Sequence, residues 1–303
     1  MKNSSYDYFQ EELDNHANQL NQIPSLNFHL TGSCNMRCRY CFSHYEKDHA
    51  ELAMSMPEQA QIKLIRELFT IGFRKISFAG GEPTLCRHLP RLVQFSKNIG
   101  FTTMLVTNSS RIDDALLRSF HGSLDWLCIS IDSLKTSTNL EIGRCLSNGF
   151  VLCEDYYKQI IELAREHGLR LKINTVLSRF NLHENFTGFL LWAKPERWKV
   201  FQVLPVVGQN ETAFNECSIT EDEMSLFLTK HASLQKLFDI IPERNNDMKG
   251  SYVMVNPSGR FYCNINGQHT YSDQVLEAGA KMAIAQMSYD FAKFINRQGL
   301  YKW

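Results

Sequence analysis

The stretch 31-TGSCNMRCRYCFSHY-45 carries three cysteines, Cys34, Cys38 and Cys41, at C-x3-C-x2-C spacing, with Phe42 directly after the third. Thiolates are soft ligands that select zinc, copper(I) or iron–sulfur clusters. A closed structural zinc site takes four ligands, and His44 or His49 could supply the fourth. An iron–sulfur cubane held by only three cysteines leaves one iron free for an exogenous ligand, which suits the spacing better. A second chemical stretch is 78-FAGGEPTL-85. Gly80 and Gly81 lack a Cβ and let backbone approach a ligand closely. Pro83 stiffens the turn, and Glu82 offers a carboxylate acceptor. Alone, such a stretch is most often a simple turn; beside the cysteine loop it becomes a candidate ligand cradle.

Both stretches follow predicted strands. Apolar patterning places strands at 26–31, 75–79, 101–107, 124–131, 169–177 and 198–204. Between them lie helices at 57–72, 89–99, 112–120, 154–167 and 182–193. Strands alternating with helices imply an α/β fold with a parallel sheet, an open doubly wound sheet or a partial barrel. In such folds ligand sites form at the C-terminal edge of the strands, where the cysteine loop and the glycine turn both fall. Beyond residue 205 the rhythm changes. A helix at 220–231 is N-capped by Thr220 with Glu223 at the capping-box position. Residues 252–263 read as a hairpin around Asn256-Pro257-Ser258-Gly259, and 278–295 as a last helix. The expected organisation is a polar segment at 1–25, an α/β unit at 26–204, and a C-terminal α+β extension at 205–303 covering one end of the sheet.

Composition narrows the class. The chain has 303 residues, enough for one large α/β domain, and its formal net charge of zero argues against nucleic acid or an anionic membrane as a global partner. No apolar run reaches the length of a membrane span. The N-terminal 1-MKNSSYDYFQEELDNHANQLNQIP-24 lacks the basic start and apolar core of a signal peptide. Nine cysteines without an export signal suggest a reducing cytoplasm. Six of them (Cys86, Cys128, Cys145, Cys153, Cys217, Cys263) are scattered and read as small buried apolar residues.

Side chains i and i+2 of a strand share a face. Four strands carry polar residues at that interval: Asn27, His29 and Thr31; Lys75 and Ser77; Lys172 and Asn174; Arg197 and Lys199. If the strands close around an interior, three lysines and an arginine project into it. Few acidic residues share these faces, and lysines are seldom buried unpaired. The missing counter-charge points to a polyanionic ligand such as a triphosphate; solvated strand ends are the plainer reading for any one lysine.

These motifs together resemble the radical S-adenosylmethionine superfamily. The resemblance sharpens to its viperin-like branch through 27-NFHLTGSCNMRCRYCF-42, 74-RKISFAGGEP-83, 142-IGR-144, 171-LKINTVLSRFN-181, 196-ERWKVFQVL-204 and 242-PERNNDMKGSY-252. It implies a partial (β/α)6 barrel and a [4Fe-4S] cluster on Cys34, Cys38 and Cys41, with S-adenosylmethionine on the open iron. It further implies that Gly80, Gly81, Glu82, Asn108, Ser130 and Arg144 hold that cofactor, Arg144 through its carboxylate. Asn27, Lys75, Lys172, Asn174, Arg197 and Lys199 would grip the triphosphate and sugar of a nucleotide, with Tyr252 near the reacting ribose as a proton or hydrogen donor. The implied reaction removes hydrogen from the ribose C4′ of a ribonucleoside triphosphate, CTP favoured and UTP or GTP possible. The product is a 3′-deoxy-3′,4′-didehydro nucleotide, an antiviral chain terminator. A flavodoxin- or ferredoxin-type electron donor is implied, and neither direct nucleic-acid binding nor membrane attachment is expected.

The sequence departs from that pattern in places. Ala79 precedes the glycine pair where relatives often have Ser, and Ser77 replaces an Asn common in animal viperins. Arg244 stands where they have a small Ser, which suggests an altered base preference. The amphipathic N-terminal membrane helix of the animal proteins is not expected here, and the aromatic terminus, Trp303, matches theirs. Rival readings are a radical enzyme acting on a peptide or other small molecule, and a non-catalytic zinc or iron–sulfur protein. The first usually carries a further C-terminal cysteine cluster, and the second leaves the glycine turn and the lysines unexplained.

Overall fold

A computed structural model describes residues 23–44 and 50–303; the N-terminal polar segment up to residue 22 and His49 lie outside the described residues. The strands are β1 (Ser25–His29), β2 (Lys75–Ala79), β3 (Thr102–Thr107), β4 (Trp126–Ser130), β5 (Arg170–Leu177), β6 (Arg197–Gln202), β7 (Asp239–Glu243), β8 (Val253–Val255), β9 (Arg260–Cys263) and β10 (Thr270–Gln274). They form a single sheet in the order β10-β9-β8-β1-β2-β3-β4-β5-β6-β7. Every pair from β8 through β1 to β7 is parallel, while β8–β9 and β9–β10 are antiparallel. The six patterned strands are all present. The segment after residue 205 extends the same sheet at both edges: β7 pairs with β6, and β8 pairs with β1.

The outer face of the sheet is covered by α1 (Glu58–Thr70), α2 (Leu89–Asn98), α3 (Asp114–Ser119), α4 (Glu154–Glu166) and α5 (Thr187–Ala193). Each buries an apolar stripe: Leu64, Ile65 and Leu68 on α1, Tyr157, Ile160 and Ile161 on α4. These pack in one core with Phe28, Ile76, Phe78, Leu127, Ile173 and Trp198, the residues that alternate with the polar ones along the strands. The period of two thus sorts each strand, with apolar side chains turned to the helices and Asn27, Lys75, Lys172 and Lys199 turned to the interior.

Two predicted helices differ from the structure. The segment expected at 182–193 becomes helical only at Thr187, because Asn181 serves the turn before it. Its side chain accepts from Ser178 N and donates to the Asp132 and Val176 carbonyls. The helix expected at 278–295 is broken into Val275–Ala278, Ala280–Ala285 and a last helix at Phe291–Asn296. Gly279 sits at φ +84°, outside helical space, and Asp290 starts the final helix by accepting from Lys293 N. With α6 (Glu221–Lys230), this last helix, α7 (Phe291–Asn296), completes the set used below. The α6 capping box of Thr220 and Glu223 is formed. The hairpin turns at Asn256, whose side chain accepts from Arg260 N at 2.8 Å.

Candidate active site

The cysteine loop leaves the C-terminal end of β1 and is held from two sides by main chain. On one side Gly81 N donates to Thr31 O at 2.7 Å and Glu82 N to Ser33 O at 2.8 Å. On the other, Arg39 N donates to Ile142 O at 3.0 Å and Arg37 N to Gly143 O at 3.3 Å. A Cβ at residue 81 would stand 2.2 Å from Ser33 O, and one at 143, where φ is +75°, would stand 2.3 Å from Arg37 O. Glycine is therefore required by contact of the chain with its own cysteine loop. The room at Gly80 and Gly81, expected to admit a ligand, is taken up on the Cβ side by Thr31 and Ser33, and Gly143, quoted only within 142-IGR-144, plays the same part on the other side.

Glu82 is fully buried with its carboxylate already engaged: Oε1 accepts from Thr84 N, Thr84 Oγ1 and Thr107 Oγ1, and Oε2 from Asn108 N at 2.8 Å. Burial raises its pKa against these bonds. It ties the glycine turn to the end of β3. Asn108 continues the tie: Nδ2 donates to Asn35 Oδ1 at 2.8 Å and lies 3.9 Å from Cys34 Sγ. Arg144 is buried and paired to Asp132 at 2.8 Å, and also donates to the Ser130 carbonyl; Tyr40 from the cysteine loop donates to the same Asp132 oxygen at 2.6 Å. The remaining side of this guanidinium faces the buried Tyr157 phenol.

Among the described residues no three His, Cys, Asp or Glu side chains stand in a ready ligand geometry. The three cysteines form no disulfide and are close enough that Cys41 and Cys34 both raise Cys38. Burial pushes Cys34 up, and Cys38 up to about 12, with Arg144 opposing the second. Burial disfavours the thiolate at Cys34 and Cys38, and Cys34, Cys38 and Cys41 would hold an iron–sulfur cluster in the deprotonated form that binds metal. Backbone N–H groups already point at two of them, Met36 N to Cys34 Sγ at 3.4 Å and Ser43 N to Cys41 Sγ at 3.5 Å. The three thiols and the backbone donors aimed at two of them fit a three-cysteine cluster.

Deeper in the interior is a narrow cavity lined by Asn27, Lys75, Ser77, Lys172, Lys199, Tyr252, Arg297 and Tyr301, among others. Arg197 is buried beside it, its guanidinium 3.9 Å from the Tyr301 ring. Burial lowers Lys75, Lys172, Arg197 and Lys199; for Lys75 the next causes are its cationic neighbours, Lys172, Lys199 and Arg197. The expectation that the chain offers these cations no counter-charge is corrected in part. Glu243, fully buried, pairs with Lys199 and with Arg297 at 3.4 Å, and the largely exposed Asp239 pairs with Arg197 at 2.9 Å. Burial alone would raise Glu243, but Lys199 and Arg297 hold it at about 2. Lys75 donates to the Tyr301 hydroxyl, and the Lys172 ammonium has no ion pair or hydrogen bond among the described residues. Four basic side chains, Lys75, Lys172, Lys199 and Arg297, thus line the cavity against one buried carboxylate, Glu243, while Arg197 beside it has the exposed Asp239.

The predicted residues thus fall into two groups on one interior. Cys34, Cys38, Cys41, Gly80, Gly81, Glu82, Asn108, Ser130 and Arg144 gather at the C-terminal ends of the strands. Asn27, Lys75, Lys172 and Lys199 meet Tyr252 around the cavity. Asn174 stands opposite Ser130 in the sheet register, between the groups, with a buried Oδ1 lacking a partner. Sequence reasoning missed Asp132, Glu243, Arg297 and Tyr301. Glu243 lies within the quoted 242–252 block, whereas nothing marked Asp132, Arg297 or Tyr301 as interior residues. Arg244 does not line the cavity; its guanidinium turns to Glu221 at 3.8 Å and Ser225 at 3.4 Å on α6.

The fold and the placement of the cysteine loop define a class, the radical S-adenosylmethionine enzymes with their partial (β/α)6 barrel. Residues 28–191 match the Radical SAM superfamily. SuiB of Streptococcus suis, solved bound to S-adenosylmethionine, superposes with a TM-score of 0.61 at 15% identity, over 86% of this chain and 66% of that one. An S-adenosylmethionine-dependent nucleotide dehydratase of Flammeovirga pacifica is 43% identical over 93% of this chain and 97% of its own length. One of Lacinutrix mariniflava is 43% identical over 95% of this chain but only 60% of its own length. The chain belongs to the radical SAM superfamily and, within it, to the family of S-adenosylmethionine-dependent nucleotide dehydratases. Its cofactors are a [4Fe-4S] cluster and S-adenosylmethionine. Among the described residues no helix is long and apolar enough to cross a membrane.

Proposed function

We propose that this enzyme dehydrates a ribonucleoside triphosphate, CTP before UTP or GTP, to the 3′-deoxy-3′,4′-didehydro nucleotide, and that the product acts against phage or other viruses by terminating polymerase chains. The observation that carries the reading is the set of four basic side chains, Lys75, Lys172, Lys199 and Arg297, around a cavity that lies towards the start of β1 and β2, with one buried carboxylate, Glu243, paired to two of them. Burying cations without equal counter-charge is costly, and a bound polyanion removes that cost. The names of the relatives support nucleotide dehydration as the reaction.

In this reading Cys34, Cys38 and Cys41 hold the cluster. Gly80, Gly81, Ser130 and Arg144 hold S-adenosylmethionine, while Glu82 and Asn108 fix the turn and the strand end around it. Bound there, the cluster and S-adenosylmethionine supply a one-electron route to hydrogen abstraction. The protein's own part is placement. Lys75, Lys172, Arg197 and Lys199 grip the phosphates, and Asn27 and Asn174 the sugar. Binding energy at the remote phosphates thereby sets the position of the ribose. Tyr252 faces the same space as the proton or hydrogen donor. Residues 205–303 cover the cavity through Tyr252, Arg297 and Tyr301 and exclude water. A flavodoxin- or ferredoxin-type carrier supplies electrons in the cytoplasm.

The test is to incubate anaerobically reconstituted enzyme with all four ribonucleotides, S-adenosylmethionine and dithionite, then identify the products by mass spectrometry. A nucleotide lighter by one water, together with 5′-deoxyadenosine, is expected. 5′-Deoxyadenosine without any altered nucleotide would overturn the reading in favour of another substrate class.

A further inference from the structure

We infer that Glu243 and Arg297 form a two-point mount that sets Tyr252 in the cavity, the carboxylate fixing its hydroxyl and the guanidinium its ring. The inference rests on the nucleotide reading above and adds positioning residues to it. Tyr252 donates its hydroxyl hydrogen to Glu243 Oε2 and accepts from Lys199 Nζ at 3.2 Å. Arg297 stands 3.7 Å over the Tyr252 ring, donates to the Ser251 carbonyl at 2.8 Å and reaches Glu243 at 3.4 Å. A tyrosine held by hydrogen bonds at its oxygen and by a cation over its face keeps little orientational freedom.

The topology gives the contact its significance. β7, which ends at Glu243, and β8, which begins beside Tyr252, are the two outermost strands of the parallel run. They do not pair with each other, so Glu243 and Tyr252 meet across the seam where the partial barrel stays open. Arg297, at the C-terminus of α7, closes the same seam from the tail. Glu243 itself works against anion binding, since it removes one positive charge from the cavity. A fully buried carboxylate that weakens the cradle's main attraction is explained by what it orients.

The test compares Glu243→Gln, Tyr252→Phe and the double variant, each reconstituted and checked for iron content. Turnover of the nucleotide by Glu243→Gln falls about 100-fold, the scale of a lost proton-handling group. Binding of inorganic tripolyphosphate, read by calorimetry, stays equal or tightens, because Lys199 and Arg297 lose their in-chain partner. The double variant is no worse than the worse single one, as residues acting as one unit require. Wild-type turnover in Glu243→Gln, a parallel loss of tripolyphosphate binding, or losses that multiply in the double variant each overturn the mount.

A readout that needs no nucleotide separates this inference from the reading beneath it. With 3-fluorotyrosine in place of Tyr252, the fluorine signal reports the phenol's ionisation. The titratable and charged groups facing that hydroxyl are Glu243 from β7, Lys199 from β6, Arg297 after α7 and the Tyr301 phenol of the tail. Burial first and Glu243 among the rest hold the phenol up, while Arg297 opposes. Replacing the carboxylate by an amide therefore moves the titration to lower pH. If the wild-type enzyme converts none of the four ribonucleotides, the nucleotide reading fails while this shift still stands; identical titrations in both proteins overturn the mount alone.

Discussion

The two ends of the interior are built by different means. Around the cysteine loop, main-chain hydrogen bonds from residues 81–82 and 142–143 do the holding, and glycines are demanded by backbone contact. Around the cavity, charged side chains from β2, β5, β6, β7 and the tail do it, through ion pairs such as Lys199–Glu243 and Arg197–Asp239. A backbone clamp admits few substitutions and is local in sequence. A side-chain cradle is assembled from distant segments and tolerates the loss of one member. The cofactor end is therefore rigid in composition, and the substrate end is where variation in specificity can be carried.

The harshest way to break this contrast is Cys38→Ala. With three ligands and no fourth His, Cys, Asp or Glu grouped with them among the described residues, cluster loading and 5′-deoxyadenosine formation are both abolished. Iron analysis and electron paramagnetic resonance check it; wild-type amounts of 5′-deoxyadenosine would falsify the ligand assignment. Gly143→Ala tests the clamp itself. A Cβ 2.3 Å from Arg37 O at a φ of +75° forces the loop to move, at a cost of about 3 kcal/mol. Thermal unfolding and iron content both fall; an unchanged melting temperature would show that the loop gives way freely.

On the cavity side the effects are graded. Lys172→Ala weakens triphosphate binding roughly 30-fold, the size of one lost hydrogen bond to a charged group, and leaves S-adenosylmethionine binding unchanged. Equal losses in calorimetric titrations of the two ligands would merge the two ends into one site. Lys75 supplies the pH dependence. Burial sets its pKa well below the ordinary 10.5, so its charge is lost as pH rises through that lowered value. Triphosphate affinity declines over that interval, short of the normal lysine range. Stability moves the opposite way, because between the folded and unfolded values the unfolded chain binds more protons and folding gains as pH rises. Affinity that stays flat with pH up to the ordinary lysine value contradicts the buried setting. Smallest of all, Arg244→Ser changes nucleotide choice less than about two-fold, within the range of surface substitutions, since the guanidinium faces α6 and not the cavity. A switch of preferred base would return Arg244 to the site.

Much of this was legible in sequence because the relevant signals are short or periodic. Three cysteines in one loop and the glycine turn after β2 are contiguous, and alternation along β1, β2, β5 and β6 sorts interior from exterior with no knowledge of the partners. The breaks at Gly279 and between Ala285 and Phe291 were not legible, because apolar spacing continues across both. Nor was Arg297, which reads as an ordinary helix-terminal cation until the tail folds back over the barrel. Glu243 looked like one more acidic residue, since nothing along the chain announces that β7 ends opposite the start of β8 across the seam.

By itself the amino-acid order determined the grouping of three cysteines in one loop, the alternation of strands and helices, and the burial of lysines on one face, each set by neighbours a few residues apart. Tertiary structure alone decided which charges those lysines meet, why residues 81 and 143 must be glycine, and how Tyr252 is held. These depend on approaches between segments tens to hundreds of residues apart, and such distances are fixed only when the sheet closes and its edges face each other.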